Sequence, residues 1–218
     1  MFPTQPRITT RPRGTLLGQV LGLLAFSMLF TAAGAFGAPL LGSSALVIGG
    51  IGGLVTLLVL IFARRLASPL RLGLFYLFST FQGMTLGVVL SAYVAAGLGN
   101  IVTLAAGTTG GLVFALSAYA WTTKRDLSGL AGYLFVGLIG ILIAAIIGIF
   151  ISAPLFHLVL ASVTAILFSG YLLYDVQQLK YADAGSDPIG IAISLYLDVL
   201  NLFWAILRIL TFFMGNDD

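Results

Sequence analysis

Two aspartates stand where acids are rare. Asp175 lies inside the stretch 166–180 and Asp198 inside 193–203, and both stretches are otherwise apolar enough to sit in hydrocarbon. A carboxylate at the centre of a bilayer costs about 2.5–3.5 kcal/mol on insertion scales, so it marks an ion path, a proton relay or a paired site. Two of them, on helices joined by a short loop, are suited to sharing one proton. The singly protonated pair has a charge-assisted hydrogen bond. Loss of that proton creates repulsion, and gain of a second removes the charged acceptor, so either change loosens the link between the helices. Such a pair is a pH-dependent clasp. The alternative is structural: each Asp hydrogen-bonds to a neighbour such as Tyr174, Asn201 or a helix end.

The neighbouring polar residues favour a shared site. His157, Thr164, Tyr171, Asp175 and Gln178 fall within about 60° of arc on a helix turning 100° per residue. Ser194, Asp198, Asn201, Ala205 and Arg208 also form one stripe on the next helix. Polar side chains in a membrane helix face the bundle interior or a watered cavity, so the two stripes are expected to face each other. His157 reads as an interfacial residue near the far mouth, and Arg208 either snorkels outward or balances Asp198.

The elements that carry these stripes follow from composition. The 218-residue chain is 60% hydrophobic and 8% charged, against about 25% charged in a soluble domain. It reads as an all-α polytopic membrane protein, with the lipid bilayer as its first partner. Apolar runs at 15–36, 43–63, 72–95, 100–122, 128–151, 154–178 and 188–213 make seven transmembrane helices. A six-span version with a re-entrant last segment is the alternative. Residues 1–13 form a basic, Pro-interrupted tail expected to be disordered, and 14–218 form the transmembrane domain. Arg7, Arg11, Arg13, Arg64, Arg65, Arg71, Lys124, Arg125 and Lys180 occupy alternate gaps, whereas the gaps at 37–42, 96–99 and 152–154 hold no Lys or Arg. That bias places the N-terminus in the cytoplasm.

Several function classes are excluded. Glu and Cys are absent and His157 is the single histidine, so thiolate and His-rich metal sites are ruled out. Zinc proteolysis lacks a His pair, and a serine protease lacks a Gly-x-Ser-x-Gly motif with a usable His. Lys124 and Lys180 both lie in gaps, so no mid-membrane lysine could form a retinal Schiff base. No phosphate-binding loop is present, and no basic patch with interleaved aromatics suggests nucleic acid. No enzyme activity and no cofactor are expected. Gly18-xxx-Gly22, Gly49-xxx-Gly53 and Gly107-xxx-Gly111 are read as close helix contacts.

The stretches Leu167-Phe-Ser-Gly-Tyr-Leu-Leu-Tyr-Asp-Val-Gln-Gln178 and Ser194-Leu-Tyr-Leu-Asp-Val-Leu-Asn-Leu-Phe203, with Leu207-Arg208 beyond, resemble the C-terminal signature of the Bax-inhibitor family. Phe81-Gln-Gly-Met-Thr-Leu86 is similar to that family's third-helix segment. The short N-terminal tail resembles the prokaryotic members. The resemblance implies a seven-helix fold with the C-terminal helix central and wrapped by the other six. It also implies a pH-sensitive calcium leak in which Asp175 and Asp198 form the sensor and transiently hold calcium. Arg64 or Arg65 would then latch onto the pair, and Tyr171, Ser194, Asn201 and Arg208 would support it. Some members carry a second-helix glutamate; this chain has none.

The expectation is therefore a calcium-permeable leak channel gated by protons, in a membrane resembling the bacterial inner membrane. Opening would separate the second helix from the bundle. A proton-coupled transporter using the same carboxylates is one competitor. A regulatory protein acting through a partner such as a membrane protease is the other.

Overall fold

The computed structural model of the chain describes residues 13–62, 67–183 and 185–215. These form α1 (Arg13–Leu41), α2 (Ser44–Phe62), α3 (Ser68–Ala95), α4 (Gly99–Thr122), α5 (Leu130–Gly148), α6 (Pro154–Tyr181) and α7 (Pro188–Met214), with no strand among the described residues. All seven are long and apolar enough to cross a membrane. Of the expected tail, 1–13, residues 1–12 lie outside the described residues, as do Arg64 and Arg65, and its last residue, Arg13, opens α1 instead. Helix α7 runs unbroken past Asp198, Asn201 and Arg208 for 27 residues. At 1.5 Å per residue that is about 40 Å, a full crossing, so it is not re-entrant.

Two boundaries differ from the sequence expectation. Helix α1 continues through Pro39 to Leu41, and the turn is confined to Gly42 and Ser43. A proline so close to a helix end removes only one backbone hydrogen bond. Gly42, at φ +61, supplies the left-handed conformation that reverses the chain. Helix α3 starts at Ser68 rather than near 72, with Pro69 in the first turn, where its missing N–H costs nothing. Arg71 is therefore inside the helix and buried, not in a loop.

Helix α7 is the interior element: half of its most apolar stretch is buried, against 6% for α5. Four helices, α1, α3, α4 and α6, pack on it, whereas α2 leans mainly on α3 and α5 on α6. The expectation of six helices around α7 is corrected accordingly. Tyr196 shows why α7 is inside. Its ring is fully buried, edge-on to Phe75 at 5.7 Å and to Phe78 at 5.8 Å. Its hydroxyl lies 2.7 Å from Thr31 Oγ1, so one side chain joins α7, α3 and α1 while its polar tip stays paired.

The glycines sort differently from their spacing. Gly49 and Gly53 do face α3: a Cβ on Gly49 would sit 2.7 Å from the Phe81 carbonyl oxygen. Gly18, Gly22, Gly107 and Gly111 face nothing within 4 Å. The closest backbone approach is instead between α1 and α3, where a Cβ on Gly83 would fall on the Thr31 carbonyl and one on Gly87 on that of Ala35. Small-residue spacing marks a capacity for close approach, and α4 does not use it among the described residues.

At the end of the bundle carrying Lys124, Arg125 and Lys180, α7 is fixed by its first residues. Asp187 caps the helix, accepting from the Ile189 N–H at 3.2 Å. It also accepts a 2.5 Å hydrogen bond from Arg71 Nη2, the one ion pair among the described residues. Partial burial pushes the Asp187 carboxyl up, but the Arg71 hydrogen bond, the Gly190 and Ile189 amides and the Arg71 charge outweigh it, so its pKa is lowered.

Two predictions follow from this packing. Gly83→Val should lower thermal stability in detergent by roughly 1–3 kcal/mol, the range for overpacking, while Gly107→Ala should leave it unchanged or raise it by about 1 kcal/mol through helix propensity. Equal losses in both variants would mean the α1–α3 approach is not specially tight. Asp187 binds its proton less readily folded than unfolded, so its contribution is full above about pH 3.9 and disappears as pH falls through the lower folded value. The melting-temperature gap between the parent protein and Asp187→Asn should thus be constant at neutral pH and close only in strong acid. A gap that vanished between about pH 5 and 7, far above the ordinary carboxylate range, would contradict this assignment.

Candidate functional site

Helices α6 and α7 meet around Asp175 and Asp198, while His157, Gln178 and Arg208 of the two stripes are exposed. The two helices pack along each other and bring Asp175 and Asp198 close enough to interact. Asp198 is buried at 3% exposure, and its Oδ2 has no hydrogen-bond partner among the described residues. Asp175 is half-buried. Tyr171, one turn back on α6, is close enough to feel both charges.

Among the described residues no cation pairs with either carboxyl group. Arg71 is occupied by Asp187. Arg208 is ten residues beyond Asp198, about 15 Å along α7, which excludes a direct pairing. It is exposed and lines a separate cavity. Two neighbouring carboxyl groups, one of them buried, are relieved by a proton held between them or by a cation. No cluster of three or more His, Cys, Asp or Glu exists among the described residues.

The other residues singled out in the sequence are placed as follows. Asn201 is half-buried and its Nδ2 donates to the Leu197 carbonyl at 2.8 Å, not to either aspartate. Ser194 is half-buried on α7, one turn before Asp198. His157 is exposed at the opposite end, its Nε2 2.9 Å from the Ile151 carbonyl oxygen. Gln178 is exposed, and its neighbour Gln177 is the buried one. The proposed latch residues, Arg64 and Arg65, lie outside the described residues.

Sequence reasoning missed two supports of the site. Gln177, two residues past Asp175, donates from Nε2 to the Arg125 carbonyl at 2.8 Å and accepts from the Leu127 N–H at 2.6 Å. Lys180 Nζ donates to the Thr123 carbonyl at 3.0 Å. The end of α6 is thereby tied to the α4–α5 loop. The second support is Arg71, whose pairing with Asp187 sets the start of α7. The only sequence signal for either was a polar residue inside an apolar run.

Comparison with known proteins supplies the family. The profile of the family described as inhibitor of apoptosis-promoting Bax1 matches residues 13–216. YbhL, an inner membrane protein of Escherichia coli K12, is 31% identical over 231 positions, covering 95% of this chain and 97% of YbhL. An uncharacterized membrane protein of Vibrio cholerae is 34% identical over 143 residues, 65% of this chain and 64% of that protein. The E. coli K12 protein named modulator of FtsH protease YccA is 31% identical over 137 residues, 63% of this chain and 62% of YccA. The chain thus spans less than two thirds of the length of the latter two. With the family profile covering nearly all of it, this seven-helix chain belongs to the Bax inhibitor-1 family.

Proposed function

We propose that this protein is a calcium-permeable cation leak of the bacterial inner membrane, gated by protonation of the Asp175–Asp198 pair. The observation that carries the reading is the pair itself: two neighbouring acids between packed helices, one of them buried with an orphan oxygen, and no salt bridge to either among the described residues. Singly protonated, the pair draws α6 and α7 together. In any other protonation state that hydrogen bond weakens, and the interface on either side of it is free to admit water and a cation. Orienting the basic end, with Lys124, Arg125 and Lys180, toward the cytoplasm puts the pair in the cytoplasmic half of the membrane. Inner-membrane placement draws on YbhL, which aligns along its length.

A second reading has its own support. The relative YccA is named a modulator of a membrane protease, and the aligned part of this chain is about as long as the V. cholerae match. In that reading the chain acts through a protein partner, and the acids set the shape of the α6–α7 surface.

Calcium flux into proteoliposomes, measured over a series of pH values, tests the first reading. The parent protein should conduct with a pH-dependent rate, and Asp175→Asn or Asp198→Asn should flatten or displace that dependence. Identical flux–pH curves in both variants would remove the gating role. The second reading is checked by affinity purification from native membranes: a protease that co-purifies with a chain inert in liposomes would favour it, whereas pH-dependent flux without a retained protease would count against it.

A further inference from the structure

Between α3, α6 and α7 lies a cavity of about 410 Å³, in the part of the bundle remote from Lys124, Arg125 and Lys180. Helices α3 and α6 both flank α7 but hardly touch each other, and the cavity occupies the gap they leave. Arg208 of α7 lines it and is exposed. No carboxylate pairs with Arg208 among the described residues, and the lining holds no Asp. The cavity thus carries one uncompensated positive charge. A guanidinium presents five N–H donors in a planar fork that matches the oxygens of a phosphate or carboxylate.

Other donors join it. Trp204 brings an indole N–H, which can only donate. Tyr93 accepts from Thr211 Oγ1 at 3.0 Å and keeps its own hydroxyl hydrogen. Asn201 spends one Nδ2 hydrogen on the Leu197 carbonyl at 2.8 Å and retains the other. Val89, Ala161 and Leu207 make part of the remaining wall apolar. Donors grouped around a fixed positive charge, beside apolar side chains, suit an oxyanion that carries a hydrocarbon chain.

Depth identifies the source of such an anion. Arg208 lies six residues before Met214, about 9 Å from the end of α7, and Tyr93 two residues before the end of α3 at Ala95. A helix of about 40 Å overhangs a hydrocarbon core of about 30 Å by roughly 5 Å at each end. Arg208 is therefore within one turn of the hydrocarbon boundary, beneath the lipid phosphates, and Tyr93 sits in the interfacial layer that such rings favour. With no carboxylate in the lining to meet an ammonium headgroup, a headgroup of net negative charge is preferred to a zwitterionic one.

We infer that this cavity is a binding site for the phosphate of an anionic phospholipid, with Arg208 as the residue that selects it and the apolar wall receiving the start of an acyl chain. The site needs only the cavity and its charge, so it stands independently of the leak reading.

Trp204 reports occupancy, because Trp121→Phe leaves it the sole tryptophan. Detergent-purified protein carrying Trp121→Phe is titrated with short-chain phosphatidylglycerol, short-chain phosphatidylcholine and inorganic phosphate while Trp204 fluorescence is followed. Phosphatidylglycerol should give a saturable change, and phosphatidylcholine a weaker one. Arg208→Gln should weaken phosphatidylglycerol binding about tenfold or more, the size of a lost charge-assisted hydrogen bond. Arg208→Lys should restore only part of it, because a point charge lacks the fork. Val89→Phe, which fills the cavity and leaves the charge in place, should abolish the response, with its melting temperature before lipid addition reporting an intact fold. Saturation by inorganic phosphate at the lipid's concentrations would keep a phosphate site but overturn the lipid as its occupant. Equal binding of the two lipids would overturn the role of charge. A parent that answers none of the three ligands, or an unaltered response in both Arg208→Gln and Val89→Phe, would overturn the site and leave Arg208 a snorkelling cation.

Discussion

The arrangement turns on a shortage of positive charge. Two carboxyl groups neighbour each other between α6 and α7, and among the described residues the basic side chains are engaged or placed elsewhere. Arg71 is consumed by Asp187, Lys180 is spent on a loop carbonyl, and Arg208 is several turns away. A buried acid with a guanidinium beside it would be a permanent ion pair, insensitive to pH over the physiological range. A buried acid beside another acid is not. In the proposed reading its charge is settled by what is mobile, a proton or a passing cation.

The surrounding structure restricts which element can answer. Helix α7 is fastened to α3 at both ends, through Asp187 and Arg71 at one and Thr211 and Tyr93 at the other, and in the middle through Tyr196 against Phe75 and Phe78. Helix α3 is in turn locked to α1 by backbone contact at Gly83 and Gly87. These three helices form one block. Helix α2, which the glycine cluster at 49–53 had suggested as the moving part, packs mainly on α3, with Phe81 and Thr85 pressed on Gly49 and Gly52. Its departure would not by itself open the α6–α7 seam.

How much of this was legible beforehand depended on the scale of the signal. Seven spans could be read because a helix-length apolar run is a sum over some twenty residues, in which a single Asp or Arg changes little. The facing of the two acidic stripes could be read because helical periodicity and the cost of polar groups in lipid leave few alternatives. What could not be read was pairwise. Arg71 looked like one more loop cation, because the periodicity that would have placed it in α3 begins with a Ser-Pro start that hydropathy does not weight. Gln177 and Gln178 are adjacent, and the arc calculation favoured the wrong one because a loop fifty residues away chose its partner. Gly107 and Gly111 have the spacing of a contact whose other half is not in this chain's described residues.

If α1, α3 and α7 form the fixed block, the responsive element is α6. It meets that block through α7 and carries α5 on its outer face. Asp175 lies two residues from Gln177 and five from Lys180, both of which grip the α4–α5 loop. A loosened carboxyl pair therefore acts on a helix end that cannot tilt without pulling that loop, whose Lys124 and Arg125 are exposed. Three hydrogen bonds thus tie the end of α6 that carries Asp175 to the loop that carries two surface cations. This is the same requirement for the two readings of function: a leak needs the seam to part, and a modulator needs the parting to be felt at the surface.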